Sequence, residues 1–122
     1  MKMYCEVFTR YVLPSFRLLI SKKLVKEYGF SQVKTAGILG ISQAAVNYYL
    51  RLKRGTRLTG ILENDEKIQS FVDEATRLIS ENRMMEIEKV ICDMCKYVKS
   101  NSELLEKILT AVGLTRADIY MA

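Results

Sequence analysis

The chain has 122 residues, of which 49% are hydrophobic and 27% charged, enough for one small domain with a real apolar core. A single proline and six glycines argue against a turn-rich all-β fold, and the sequence predicts an all-α protein. No apolar run is long enough to span a bilayer, and no signal-peptide cleavage site follows the first residues. We therefore expect a cytoplasmic protein with no membrane partner.

Charge is distributed unevenly along the chain. The net charge is +5, and residues 1–62 carry eleven of the nineteen Lys and Arg side chains but only two of the fourteen acidic ones, a net of +9. Residues 63–122 have a net charge of −4. A basic half beside an acidic half suggests nucleic-acid binding, and the alternative is a solvated surface of uneven charge.

The basic half begins with helical patterns. Residues 4–13 show a weak one. Pro14 suits the first turn of the next helix, and apolar residues then recur at intervals of three and four as far as Tyr28. Gly29 is a good C-terminal cap, so the sequence predicts a helix over about 15–28.

Two short helices follow around a glycine. Ser31 can cap a helix that runs through Leu39, and Ser42 can cap a second helix that runs to about Leu52. Gly40 supplies the turn between them, because glycine reaches positive φ without steric cost. The pair has the length and spacing of a helix-turn-helix motif.

Beyond this pair lies the acidic half. Residues 53–60 are predicted to form a basic, glycine-containing loop. Apolar stripes at helical spacing then occur within 68–79, 87–98 and 104–112, and residues 115–118 have the spacing of a capping box. The stripes exceed what one small domain needs for its own core, so we predict that they form a homodimer interface.

The helix pair meets the packing requirements of a DNA-reading helix-turn-helix. The second helix must cross close to a small residue of the first, and Ala36 fits, with Gly40 four positions later. Apolar residues must flank the turn and line the inner face of the second helix. Those positions hold Leu39, Ile41, Val46 and Tyr49, with Leu50 as a substitute. The outer face of the second helix, at about 42–52, is then available to the major groove of double-stranded DNA.

The side chains of that outer face suit base recognition. Gln and Asn pair bidentately with adenine, Arg pairs with guanine, and alanine allows contact with a thymine methyl. Phosphate contacts come from basic residues beside the duplex and set affinity. The predicted DNA-binding residues are Ser31, Gln32, Ser42, Gln43, Ala44, Asn47, Tyr48, Arg51, Lys53, Arg54 and Arg57. A helical hairpin with a purely structural role is the competing interpretation.

The stretch from Tyr11 to Gly55, YVLPSFRLLISKKLVKEYGFSQVKTAGILGISQAAVNYYLRLKRG, resembles archaeal regulators with a phage-repressor-like (Xre/Cro-type) helix-turn-helix. The resemblance covers about residues 5–55 and weakens through 60–100. It implies a transcriptional regulator with a DNA-binding domain at 1–60 and a helical dimerisation or sensing region at 61–122. Thr35 departs from the family pattern, which has an aliphatic residue there beneath the turn.

Three cysteines suggest a second function. Cys5 and the C-x-x-C pair Cys92 and Cys95 match cysteines of the same archaeal group, which implies an iron–sulfur cluster or zinc. Members of the group also carry a further cysteine and a histidine, and this chain has neither. Free thiols, or a disulfide between Cys5 and the C-x-x-C pair, are the alternatives.

Two other function classes stay open beside DNA binding. One is a protein–protein adaptor in which the helical acidic half is the active part. The other is a redox- or metal-responsive sensor built on the cysteines. An enzyme is not expected, because the chain has no histidine for general-base catalysis, no nucleotide-binding glycine motif and no recognisable carboxylate pair.

Overall fold

Helices make up most of the protein, which confirms the predicted helical fold class. The computed structural model describes residues 1–52 and 56–121. Its helices are α1 (Tyr4–Val7), α2 (Leu13–Lys26), α3 (Gln32–Leu39), α4 (Gln43–Arg51), α5 (Arg57–Glu63), α6 (Glu66–Ser80), α7 (Ile87–Ser100) and α8 (Ser102–Ala111). A π-helical segment, Phe8–Val12, joins α1 to α2, and short 3₁₀ turns occupy Met84–Glu86 and Arg116–Asp118. No helix in the described part of the chain has the length and apolarity needed to cross a membrane.

Side-chain caps fix where the helices begin. Ser31, Ser42, Asp65 and Asn101 each accept a hydrogen bond from the backbone N–H three residues ahead, at 2.9–3.1 Å. These bonds satisfy N–H groups that have no partner within the helix. Pro14 lies in the first turn of α2, where its missing N–H costs little. The helix starts predicted at Ser31 and Ser42 are confirmed.

Part of the predicted basic loop at 53–60 is a helix instead. Thr56 caps α5, accepting a hydrogen bond from the Thr59 N–H at 3.2 Å, and the helix begins at Arg57. Leu58 and Leu62, one turn apart, are buried, and α5 packs against α2, α6 and α8. Burial of this apolar pair outweighs the low helix propensity of a glycine within the segment. Residues 53–55 of the predicted loop lie outside the described residues.

Two short strands bring distant parts of the sequence together. β1 (Lys2–Met3) pairs in parallel with β2 (Ile119–Tyr120), with Lys2 opposite Ile119. Each strand is two residues long, too short to show the alternation by which strands are recognised in a sequence. This pairing was not predicted.

The centre of the fold is α2. It packs against α3, α4, α5 and α6, so it joins the helix pair at 32–51 to the acidic half. Its buried side chains belong to one apolar cluster that extends from Tyr4 to Ile119 and crosses residue 60 without a break. The division into domains at 1–60 and 61–122 stays a prediction.

The apolar stripes of the acidic half are buried inside the chain. The most fully buried side chains of α6, α7 and α8 include Ile68, Leu78, Met94, Leu105 and Ile108. Helix α7 packs against both α6 and α8, and α6 also packs against α2. The premise that these stripes exceed what the core of one chain needs was therefore wrong. An amphipathic pattern shows that one face of a helix is buried, but it does not show whether the same chain or a second copy buries it. A homodimer stays a prediction, but the buried stripes are not available as its interface.

Candidate nucleic-acid interface

Helices α3 and α4 pack closely against each other across a short turn. Ala36, only 6% exposed, lies in α3, which packs directly on α4, and Val46 of α4 is fully buried. Gly40 ends α3 in the left-handed conformation, with φ of 67°, and the Ile41 N–H donates to the Ala36 carbonyl at 3.1 Å. The turn between α3 and α4 therefore takes three residues, 40–42, at the position that the sequence predicted.

The buried hydroxyl of Thr35 is satisfied by a local hydrogen bond. Thr35 is completely buried, where an unpaired hydroxyl would be costly. Its Oγ1 donates to the Ser31 carbonyl at 2.9 Å, one turn back in α3. The polar group is thus satisfied within the helix.

One face of α4 is open to solvent. Gln43, Ala44 and Arg51 are exposed, and Tyr48 keeps 58% of its surface accessible. The Tyr48 ring lies beside that of Tyr49, with centroids 6.2 Å apart, and Tyr49 packs on the core. We call Gln43, Ala44, Tyr48 and Arg51 the outer face of α4.

Asn47 occupies a different position from the outer face. It is half-buried, and its Nδ2 donates to Oε1 of Gln32 at 3.2 Å, joining the first turn of α3 to the middle of α4. Both residues were predicted DNA contacts, and the structure places them in contact with each other. Ser31 and Ser42, also predicted contacts, are exposed, and their hydroxyl oxygens accept the capping hydrogen bonds of α3 and α4.

Basic side chains lie on α2, on α3 and at the start of α5. Arg57 is exposed at the start of α5, and Lys34 is exposed on α3 with its Nζ 4.3 Å from the centre of the Phe30 ring. Lys22 donates to the carbonyl of Leu52, the residue that follows α4, at 3.5 Å. Sequence periodicity does not predict that contact, because Lys22 and Leu52 are thirty residues apart. The predicted contacts Lys53 and Arg54 lie outside the described residues.

The three cysteines lie on two neighbouring helices. Cys5 and Cys92 are exposed, Cys95 is half-buried, and all three thiols are free. The Tyr4 hydroxyl donates to the Cys95 carbonyl at 2.7 Å, and burial raises the pKa of this tyrosine well above its ordinary value. Among the described residues, no three metal-ligating side chains of the His, Cys, Asp and Glu type gather at one point. An iron–sulfur or zinc site stays a prediction.

The chain has no match among protein-family models, curated proteins or solved structures.

Proposed function

We propose that the protein is a sequence-specific DNA-binding transcriptional regulator of the phage-repressor-like type, and that α4 is its recognition helix. The observation that carries this proposal is the difference between the buried face and the exposed face of α4. Val46 anchors the helix, while the outer face offers an amide, a methyl, a phenol and a guanidinium to solvent. A purely structural hairpin has no need of such a set on one face.

The proposed contacts follow from the chemistry of each side chain. Gln43, in the first turn of α4, suits an adenine edge, and Ala44 beside it suits a thymine methyl. Arg51, in the last turn, suits guanine or a phosphate. Arg57 and the amide groups at the start of α3 suit the phosphate backbone, which positions the protein without reading sequence.

A homodimer is part of the proposal, because one helix-turn-helix covers too few base pairs for genomic specificity. Two copies would read half-sites about one helical turn apart. Multi-angle light scattering at micromolar concentration, with and without a selected duplex, measures the assembly. A complex of one chain per duplex would contradict the dimer and leave the base-reading proposal standing.

The direct test is a change in discrimination without a change in stability. A bound duplex is first selected from random DNA, and its affinity is compared with that of a scrambled duplex by fluorescence anisotropy. Gln43→Ala and Arg51→Ala are each expected to lose about 1–3 kcal/mol on the selected duplex and little on the scrambled one. Asn64→Ala, which removes an exposed amide from the end of α5, is the matched control and keeps both affinities.

The outcome separates the competing functions. If both α4 variants keep the wild-type ratio of affinities, α4 does not read bases, and the adaptor hypothesis becomes the better one. If the wild-type protein binds neither duplex even at low salt, the DNA-binding proposal fails altogether, since phosphate contacts alone would give measurable non-specific binding.

A further inference from the structure

A small apolar cavity lies between the helix pair and the acidic half. Its volume is about 140 Å³, and it is lined by residues of α2, α3, α6, α7 and the 3₁₀ turn before α7. The lining includes Phe16 and Ile20 from α2, Ile38 from α3 and Ile91 from α7. Met84, also in the lining, is itself exposed, so the cavity reaches the surface at that turn.

One charged side chain lines this cavity, that of Arg17. It is half-buried on α2, and no described residue forms an ion pair or a hydrogen bond with its guanidinium. The other lining residues of the described chain are all apolar. The donors of this guanidinium are therefore not engaged within the described chain, and a planar carboxylate is the group whose geometry matches them.

We infer that this cavity binds a small monocarboxylate whose apolar part is about the size of a benzene ring. A cavity of about 150 Å³ lined by Leu, Ile and Phe is known to hold benzene, so the volume sets the size of the apolar part. Arg17 binds the carboxylate through paired hydrogen bonds, and the side chains of Phe16, Ile38 and Ile91 enclose the ring or alkyl group.

The position of the cavity brings a bound ligand into contact with the helix pair. Ile38 belongs to α3, and Ile91 belongs to α7, so a bound ligand touches both sides of the fold. A ligand that fills the cavity therefore adds contacts between α3 and the acidic half. Binding of this ligand does not depend on DNA, so the test of the cavity is independent of the test of the proposed function.

Benzoate is the probe, and methyl NMR of isoleucine-labelled protein locates its binding. Titration is expected to shift the methyl signals of Ile20, Ile38 and Ile91, and to leave Ile108, which is buried away from the cavity, unchanged. Benzamide has the same shape without the charge, and it is expected to bind at least about tenfold more weakly, because it gives Arg17 no anion.

Substitution of Arg17 tests the assigned role. Arg17→Met keeps the apolar stem and is expected to weaken benzoate binding by about tenfold or more, which makes benzoate and benzamide equal. Arg17→Lys keeps the charge without the paired donors, and it is expected to bind benzoate with intermediate affinity. Arg10→Met, at an exposed arginine outside the cavity, is the matched control and binds like the wild type.

Two results would overturn the inference. One is the absence of benzoate-dependent shifts at the three cavity methyls. The other is unchanged benzoate affinity in both Arg17 variants, each shown to be folded by its methyl spectrum. Either result would show that the cavity does not take a carboxylate held by Arg17.

Discussion

The hydrogen bond between Asn47 and Gln32 gives a prediction that the sequence did not contain. An exposed surface amide usually tolerates substitution by alanine within about 0.5 kcal/mol. In the structure its Nδ2 donates to Oε1 of Gln32, and both side chains are half-buried. Either Asn47→Ala or Gln32→Ala removes this bond and leaves a partner whose amide has lost its protein contact.

The expected cost follows from the geometry of the bond. A net contribution of about 0.5–1.5 kcal/mol is usual for a neutral hydrogen bond, and this one has a donor–acceptor distance of 3.2 Å, the long end of the normal range. Partial exposure lets water replace the missing partner. We therefore expect each single variant to lose about 0.5–1 kcal/mol in the free energy of unfolding.

A double-mutant cycle isolates the pair. Urea denaturation of the wild type, both single variants and the double variant gives the coupling energy, which we expect to be at least about 0.5 kcal/mol. Gln43→Ala, on the same helix but exposed, is the control and should change stability by less than about 0.5 kcal/mol. A coupling energy near zero would refute the reasoning, since it would mean that water satisfies both amides equally well.

The same variants bear on DNA recognition. If Gln32 holds Asn47 in position for a base contact, Gln32→Ala should lose discrimination at the same base pair as Asn47→Ala. If Gln32 contacts only phosphate, its loss should weaken binding to every duplex alike. Affinities measured over single-base variants of the selected duplex distinguish the two.

Three further predictions concern other parts of the structure. Gly40→Ala should cost about 1–2 kcal/mol of stability in urea denaturation, because φ at this turn is 67°, and an unchanged midpoint would contradict the left-handed turn. Arg57→Ala should weaken binding to all duplexes alike and lower the salt slope by about 0.9, whereas Arg116→Ala should leave the slope unchanged. Tyr4→Phe should cost about 1 kcal/mol at neutral pH, because the hydroxyl donates to the Cys95 carbonyl. Because burial raises the folded-state pKa of Tyr4, the wild-type advantage should be complete below about pH 10 and shrink above it, as the unfolded tyrosine ionises first. An advantage that stays constant between about pH 9 and pH 11 would contradict the burial of this hydroxyl.

Local signals made the helix pair readable from the sequence. The capping serines at 31 and 42 and the glycine at 40 act on backbone within a few residues, so their effect does not depend on the rest of the fold. The exposure of Gln43 and Arg51 followed from helical periodicity alone. The later helices could likewise be located from the helical periodicity of their apolar stripes.

Contacts between distant residues were beyond the reach of the sequence. Periodicity showed that the stripes of the acidic half were covered, but it did not show that α6 packs against α2, which belongs to the other half of the chain. The bond from Asn47 to Gln32 depends on how two helices cross, and that angle is set by packing. The same holds for Arg17, which lines a cavity against α3 and α7.

The pairing of β1 with β2 has a consequence for the order in which the protein folds. It joins residues separated by most of the sequence, so forming it early would require closing a very long loop with only a few hydrogen bonds in return. The strands can therefore meet only after the helices have docked, and they are the first contact to be lost when the structure opens locally. Their amide protons should exchange with solvent well before those in the middle of α6, and that difference reports an opening that leaves the apolar core intact.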